Sequence, residues 1–440
     1  VSLTAFALVN DLVSVRLAEI GHEFDHTYSL ELSRIEIALE ALGRPQDRLP
    51  PVFHVAGTNG KGSVCAYLRA ITEAAGRKPH VFTSPHLIRP NERVRIAGKL
   101  VSDAQFLAAL DRLADTGALV TYFEAITAAA FLLFSETPGD CVVLETGLGG
   151  RVDATNIFPH PAATIITPID LDHAHLLGDT IAKITVEKAG ILKRGAPAII
   201  ARQKPEAMEV LEARAREIGA PMHRCGIEWD CWAKDGRLLV QTEDRLLDLP
   251  LPSLVGPHQI DNAGLAVRAA LLMRPELTDE QIGKGVASTQ WPARMQRVSQ
   301  GPFAAQVANA GGEFWIDGGH NVHAGLALAA SLAQLRARAP KPVIAITGML
   351  GTKDSTGFFA AFADQIEGMV TVPINSSRAA LDPNELAALA NLQGIRAIAT
   401  HNLPDAITLA LKQAQAPRII VCGSLYLAGE VLAQSGIQLT

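Results

Sequence analysis

The sequence predicts an α/β protein, with mainly parallel sheets carrying helices on their faces, divided into two domains. Three observations predict this. Short β-rich runs alternate with helical stretches along the chain. Its 440 residues exceed what one compact core holds. The alternation also breaks once, at "QWPARMQRV" (290–298), where Trp-Pro cannot continue a helix. Domains are therefore expected over 1–290 and 291–440, the second smaller and Rossmann-like.

"PVFHVAG" (51–57) reads as a buried strand, and "SVCAYLRAITEAAG" as a helix that Gly76 stops. "HVFTS" (80–84) is a second strand. "SDAQFLAALDRLAD" is a helix opened by a capping box of Ser102 and Gln105. "TYFEAITAAAFLLFSE" is a long apolar helix, with Thr121 and Glu124 in the same relation. "CVVLE" (141–145), "ATIITPI" (163–169) and "APAIIA" (196–201) continue the sheet, with the helix "TIAKITVEKAGILK" between the last two. "RLLVQTEDRLLDLPL" alternates and predicts a hairpin, after which "HQIDNAGLAVRAALLM" returns to helix. Beyond the break, "FWIDGG", "KPVIAITG", "GMVTVPI" and "RIIVCGS" are strands separated by helices.

Composition narrows the function classes. The chain is 48% hydrophobic and 19% charged, ordinary for a globular α/β protein. A formal net charge of -6 argues against nucleic acid as the main partner. The five cysteines (Cys65, Cys141, Cys225, Cys231, Cys422) are odd in number and scattered, which fits reduced thiols. His223, Cys225 and Cys231 lie close together but match no common zinc spacing. No apolar run reaches the roughly 18 residues of a membrane span, and no secretion-signal layout is present. A cytoplasmic location, away from membranes, is the expectation.

"HVAGTNGKGS" (54–63) carries the first chemistry. A strand, a Gly-rich turn and a helix start point several backbone N–H groups at one spot, where the helix dipole adds positive charge. Gly57, Gly60 and Gly62 let the backbone approach an anion, and Lys61 supplies a full charge for outer phosphates. Together these predict a P-loop-type ATPase fold for the first domain, with Thr58, Asn59 and Ser63 completing the cradle. The loop departs from G-x-x-x-x-G-K-[ST] in its glycine spacing and at Gly62, which stands where a Ser or Thr would hold magnesium, with Ser63 one residue late. Metal ligands must come from elsewhere. Glu145, at the end of a strand, sits where open α/β sheets place their ligand crevice.

The motif "GTNGKGS" resembles the phosphate loop of the folylpolyglutamate synthase and dihydrofolate synthase family, a branch of the Mur-type amide ligases. Further segments resemble that family in order: "FTSPHLIRPNERVRIAG" (82–98), "LETGLGGRVDATN" (144–156), "ITPIDLDHAHLLGDT" (166–180), "EKAGILK" (187–193), "WPARMQRV" (291–298), "DGGHN" (317–321) and "GSLYLAGEV" (423–431). The resemblance implies an ATP-dependent ligase that joins L-glutamate to dihydropteroate and to the glutamate tail of folates, through an acyl phosphate. Alternatives are folylpolyglutamate synthesis alone, another Mur-type ligase, or a non-catalytic P-loop binding module. Cell-wall ligases usually read G-T-N-G-K-T-T, so Gly62 argues against them.

The resemblance also implies residue roles. Two Mg2+ ions would accompany ATP, one held by Ser84 and Glu145, the other by His173. The D-L-D-H context favours His173 over His175, with Asp170 and Asp172 either supporting the metal ligands from behind or organising the backbone. Lys188 of "EKAG" would be carbamylated, because a free ammonium would repel the metals and an oxygen-rich anion supports them. Lys61, His173 and Lys188 form the expected catalytic set. Asn262, Arg294 and Asp317 are expected to contact ATP, Arg294 only when the domains close. "TYFE" (Thr121, Tyr122, Phe123, Glu124) and "VDA" (Val152, Asp153, Ala154) match segments that contact dihydropteroate. Phe123 is expected to pack on a flat ring and Asp153 to accept hydrogen bonds from its amino groups. Both segments also have a purely structural reading, as a helix cap and a loop former. His320, Lys353 and Arg378 are candidates for the glutamate side. "DHTYSLELSRI" (25–35) follows the family's substrate loop only loosely. A monomer is expected.

Overall fold

The computed structural model describes residues 11–22, 31–377 and 379–437. Eight strands form the first sheet: β1 (Val52–Ala56), β2 (Pro79–Phe82), β3 (Val94–Ile96), β4 (Lys99–Leu100), β5 (Cys141–Glu145), β6 (Ala163–Ile166), β7 (Ala198–Ile200) and β8 (Met222–Arg224). Their order is β4-β3-β2-β5-β1-β6-β7-β8. The six strands from β2 to β8 across the sheet pair in parallel, and β3 and β4 add an antiparallel edge.

Alternation along the central strands divides the core between the two faces. Phe53 and Val55 of β1 and Val143 of β5 face helices Lys61–Ala74, His258–Met273 and Asp279–Ser288. Val52 of β1, with Val142 and Leu144 of β5, faces helices Leu12–Ile20, Ser33–Ala41, Asp103–Asp115 and Tyr122–Glu136. Each large apolar side chain fully buried in these layers contributes about 1.5–3 kcal/mol. Both expected capping boxes are present, at Ser102/Gln105 and at Thr121/Glu124.

The expected hairpin is real but belongs to a three-stranded antiparallel sheet: β9 (Asp230–Lys234), β10 (Arg237–Gln241) and β11 (Leu246–Pro250). β9 escaped the sequence reading because its exposed Trp232, Ala233 and Lys234 leave little alternation. Two strands are shorter than their apolar runs: β2 ends at Phe82 and β6 at Ile166. Pro168 cannot donate to a ladder, which accounts for the second.

Helix Asp279–Ser288 is the last element before Trp291, and a second sheet starts at Gln296. It comprises β12 (Gln296–Arg297), β13 (Glu313–Ile316), β14 (Val343–Thr347), β15 (Gly368–Thr371), β16 (Ala397–Ala399) and β17 (Arg418–Cys422), ordered β12-β13-β17-β14-β15-β16. All its pairs are parallel except β12–β13. Alternation again splits the core: Ile344 and Ile346 face one side, Val343 and Ala345 the other. Among the described residues no helix is long and apolar enough to cross a membrane.

This topology positions a site. β1, β5 and β6 are neighbours and parallel, so Gly57, Glu145 and Thr167 emerge at one edge. In the second sheet Asp317 follows β13 in the same manner. Such edges are where open α/β sheets bind ligands.

Candidate active site

The two edges face each other across a cleft. It is lined by Gly57 through Ser63, Ser84, Glu145, Asp172, His173 and Lys188 from the first part of the chain, and by Arg294, Asp317 and His320 from the second. Asn262 lines it as well. Its empty volume is about 1430 Å³, open mouth included.

The phosphate loop owes its shape to two glycines. Gly57 has φ 147°, and a Cβ there would stand 1.9 Å from Thr167 Oγ1. Gly60 has φ 87°, and a Cβ would stand 2.5 Å from Asn262 Oδ1. The loop is tied down by Thr58, whose Oγ1 donates to Asp170 O (2.9 Å) and accepts from Asp170 N (3.0 Å). Both bonds are to the Asp170 main chain; its carboxylate accepts from Leu171 N (2.8 Å) and Lys204 Nζ (2.9 Å). Lys61 Nζ donates to Gly57 O (3.1 Å) and Thr58 O (3.2 Å), while Lys188 Nζ donates to Gly57 O (2.8 Å). Two cations converge on one carbonyl. Burial first, then Lys61, pull the Lys188 pKa down to about 7, against the opposing pull of Asp172 and Asp153.

Gly62 differs from these two glycines. It lies in the helix, and a Cβ there would stand 2.8 Å from Nε1 and Cζ2 of Trp291. The space of the absent hydroxyl side chain is filled by an indole.

Glu145 ends β5 and is 3% exposed. Among the described residues one hydrogen bond reaches its carboxylate, from Ser84 N at 3.1 Å. Burial raises its pKa to about 7, although Lys61, the Ser84 N–H, Arg294 and Arg93 all favour the anion. A buried carboxylate with one donor is short of partners, which suits a hard cation.

His173 adopts a left-handed backbone (φ 51°) ahead of the short helix Ala174–Leu177. Burial lowers the pKa of both His173 and His320 to about 4. Both imidazoles are therefore neutral near pH 7, and His173 can offer a lone pair. His320 Nδ1 lies 3.0 Å from Gly318 O; a carbonyl only accepts, so the proton is on Nδ1 and Nε2 is bare.

Asp172, expected to support the metal ligands or organise the backbone, is the hub of the cleft. Lys353 Nζ donates to its Oδ1 (2.7 Å) and Asn321 Nδ2 to its Oδ2 (3.0 Å). Burial opposes the charge, but His320, Lys353 and His173 hold this carboxyl well below the usual range. A reciprocal amide pair adds a second bridge between the sheets: Asn59 Nδ2 donates to Asn321 Oδ1 (3.0 Å), and Asn321 Nδ2 to Asn59 Oδ1 (3.2 Å). Sequence reasoning missed Asn321 and the hub role of Asp172, since neither pairing leaves a periodic signal. Lys353, a glutamate-side candidate, is here the partner of Asp172. Arg378, the other cationic candidate, lies outside the described residues, as does most of "DHTYSLELSRI".

Among the ATP-side candidates, Asn262 Nδ2 donates to Gln259 Oε1 (3.1 Å). Arg294 Nη1 donates to Ala293 O (3.1 Å). Asp317 accepts from Met295 N (2.9 Å) and Gly319 N (2.8 Å), so its carboxylate shapes the turn around Arg294.

The pterin-side candidates do not line this cleft. Thr121 and Glu124 cap their helix, and Glu124 also pairs with Arg34 at 3.2 Å. The Arg93 guanidinium lies 5.8 Å from the centre of the Tyr122 ring. Phe123 reaches towards the cleft, its ring so close to Gly147 that a Cβ there would stand 2.5 Å from Cζ. Val152 is half-buried and Ala154 buried. Asp153 corrects the expectation of a free acceptor. Its Oδ2 accepts from Gly147 N (2.9 Å) and Leu148 N (2.8 Å), its Oδ1 from Thr155 N (3.0 Å) and Thr155 Oγ1 (2.5 Å). A carboxylate offers about four lone-pair sites, and all four are used. A pterin amino group would have to displace one of these donors.

Among the described residues no three His, Cys, Asp or Glu side chains converge where they could hold a metal ion. That includes His223, Cys225 and Cys231; all five cysteines are free and buried.

Residues 294–425 match the family described as Mur ligase, glutamate ligase domain. The chain is 34% identical over 412 residues to dihydrofolate synthase/folylpolyglutamate synthase of Escherichia coli, with 92% of this chain and 91% of that protein covered. The structure of E. coli FolC in complex with DHPP and ADP is 32% identical and superposes with a TM-score of 0.85, covering 96% of this chain and 97% of that one. A bifunctional folylpolyglutamate synthase/dihydrofolate synthase with Mn, AMPPNP and L-glutamate bound is 31% identical, with a TM-score of 0.82 and coverage of 96% and 97%.

Proposed function

The chain belongs to the dihydrofolate synthase/folylpolyglutamate synthase family, and from that premise we propose how its cleft works as an ATP-dependent ligase. It joins L-glutamate to dihydropteroate and to the glutamate tail of folates. One observation carries the reading. The glycine-lined phosphate loop, Glu145, His173 and Lys188 share a single cleft with Arg294, Asp317 and His320 of the second sheet.

In the first step a carboxylate oxygen of the acceptor attacks the γ-phosphorus of ATP. An acyl phosphate forms and the bond to ADP breaks. All reacting groups are anionic, so the cleft must neutralise charge before they meet. The N–H groups of Gly57 to Ser63 and the Lys61 ammonium receive the phosphates. Asn262, Arg294 and Asp317 complete the nucleotide site, Arg294 arriving from the linker side. In the second step the glutamate amine attacks the acyl carbon and phosphate leaves. His320 and Lys353, with Arg378, are the groups proposed to meet glutamate.

A divalent cation fits Glu145, buried and under-supplied with donors, and Ser84, whose N–H reaches that carboxylate and which lines the same cleft, would add its hydroxyl. His173, neutral at pH 7, and a carbamylated Lys188 would serve a second one. Sparse protein ligands suit Mg2+, which keeps waters and takes phosphate oxygens. Bound there, the two ions would offset the negative charge of the triphosphate and the attacking carboxylate. Residues 1–290 are the ATP-binding half in this reading and 291–440 the glutamate-ligase half. A monomeric, cytoplasmic enzyme completes it.

The test is a substrate panel with ATP, Mg2+ and glutamate, comparing dihydropteroate with reduced folates by phosphate release. Release with both is expected. Phosphate release that needs neither pteroate nor folate would sink the assignment.

A further inference from the structure

Gly62 lies within helix Lys61–Ala74, so conformation does not require glycine there; space does. The indole of Trp291 rests on it, where an ordinary phosphate loop carries a hydroxyl side chain. Three residues further on stands Arg294. Its neighbours Ala293 (φ 54°) and Met295 (φ 39°) are both left-handed without being glycine. Such backbone persists only where its surroundings over-determine it. Here Met295 N donates to Asp317 Oδ2 (2.9 Å), Gly318 N to Ala293 O (2.8 Å) and Ala293 N to Gln296 Oε1 (2.9 Å). Both flanking side chains are buried. The Arg294 guanidinium lies against Gly318, where a Cβ would stand 2.8 Å from Nη1. Gly62, Glu145, Trp291 and Arg294 line one chamber at the side of the cleft.

The linker is thus anchored at both ends. Asp317 and Gly318 fix the strained turn to the second sheet. Trp291 fixes the preceding residues to the phosphate-loop helix. We propose that Trp291 is a positioning residue for ligation: wedged on Gly62, its indole couples the phosphate loop to the turn that presents Arg294 to the nucleotide. Gly62 and Trp291 act as a pair, the glycine making room for the wedge. This rests on the reading that Arg294 serves ATP.

Steady-state kinetics on the full chain test it, with ATP varied and dihydropteroate and glutamate saturating. Arg294→Ala is expected to lower kcat/KM for ATP. Trp291→Ala is expected to lower it about 100-fold, the scale of an ångström-sized misplacement. The double variant should be no worse than Arg294→Ala alone, because Trp291 acts through Arg294. Gly62→Ala should reproduce the loss by pushing the indole away, and adding Trp291→Ala should leave that pair no worse than Trp291→Ala alone. Trp291→Phe keeps an aromatic wedge and should retain most activity; Trp291→Leu, which removes the ring but keeps an apolar side chain, takes the place of Trp291→Ala in the cycle if that variant does not fold. Losses that multiply in the Trp291/Arg294 double variant, or a fully active Trp291→Ala, would overturn the proposal while leaving the Arg294 reading intact. A fully active Arg294→Ala would refute both.

Discussion

Removing carbon dioxide should silence the enzyme, and Lys188 sets the size of the effect. Its side chain is buried and its amine touches Gly57 O. Burial and the neighbouring Lys61 bring its pKa from 10.5 to about 7. At pH 7 an ordinary lysine is neutral in about one molecule in 3,000, whereas this one is neutral in about half. Only the neutral amine has a lone pair for CO2, so the fold raises the reactive fraction about 1,500-fold. Enzyme exhaustively stripped of CO2 and bicarbonate should lose most activity and regain it on their return. At fixed dissolved CO2 the initial rate of recovery should rise about fivefold from pH 6 to pH 7 and less than twofold from pH 7 to pH 8, following the neutral fraction. Carbon-13 NMR of protein charged with labelled bicarbonate should show a carbamate signal that Lys188→Met abolishes along with activity. The sign of the stability effect follows from the same shift. The unfolded lysine binds its proton up to about pH 10.5, the folded one only to about 7. Stability of CO2-free protein therefore carries the full penalty below pH 7 and recovers as pH climbs towards 10.5. Lys188→Met should melt above the CO2-free parent at pH 7, by a margin that shrinks towards pH 10. Activity indifferent to CO2 removal, or a fully active Lys188→Met, would refute the reasoning.

Three further outcomes are expected. Gly57→Ala forces a Cβ to 1.9 Å from Thr167 Oγ1 and should abolish ATP binding in calorimetric titration; parental affinity would contradict the loop geometry. Asp153→Ala strips four donors of their acceptor and should cost about 3 kcal/mol or more, read as a lower melting midpoint alongside weaker dihydropteroate use. An unchanged melt would mean the carboxylate is not what shapes this loop. Asp172→Asn removes the charge facing Lys353 across the cleft, a nearly buried pair whose disruption costs about 3–5 kcal/mol. The two halves should separate, increasing the radius of gyration by small-angle X-ray scattering; identical scattering curves would show that this pair does not hold the cleft.

What the sequence disclosed depended on range. Strand and helix identities came from period and end signals within a few residues, and both capping boxes stand where their S/T-x-x-E/Q spacing puts them. Helix Pro205–Ile218 was not read from the sequence, although it carries the same kind of signal, with proline at its first position and Gly219 behind it in the left-handed conformation. Contacts between the halves had no such signature. Asn59 and Asn321 are 262 positions apart, Asp172 and Lys353 181. Local motifs singled out Asn59, Asp172 and Lys353, but nothing in local pattern showed which residue each would pair with. Gly62 was read only for chemistry: the missing hydroxyl signalled that metal ligands come from other segments, and the structure alone showed Trp291 in its space.

The acidic residues show why residue type at a strand end cannot by itself separate ligand from scaffold. Glu145, Asp153 and Asp317 all follow or end strands near the cleft and all were candidates for contacts with substrate, metal or nucleotide. What separates them is the number of donors the protein already aims at each. Asp153 receives four, so its negative charge is spent on holding residues 147–155 in shape. Asp317 receives two, one from Met295 N beside Arg294 and one from Gly319 N in its own loop, and keeps lone pairs to spare. Glu145 receives one, in a setting buried enough to push its pKa to about 7. A buried carboxylate left that poorly paired costs free energy unless a cation or proton joins it. The donor count therefore ranks Glu145 as the side chain most in need of a cation, and that count belongs to loops from distant parts of the chain rather than to its own neighbours in sequence.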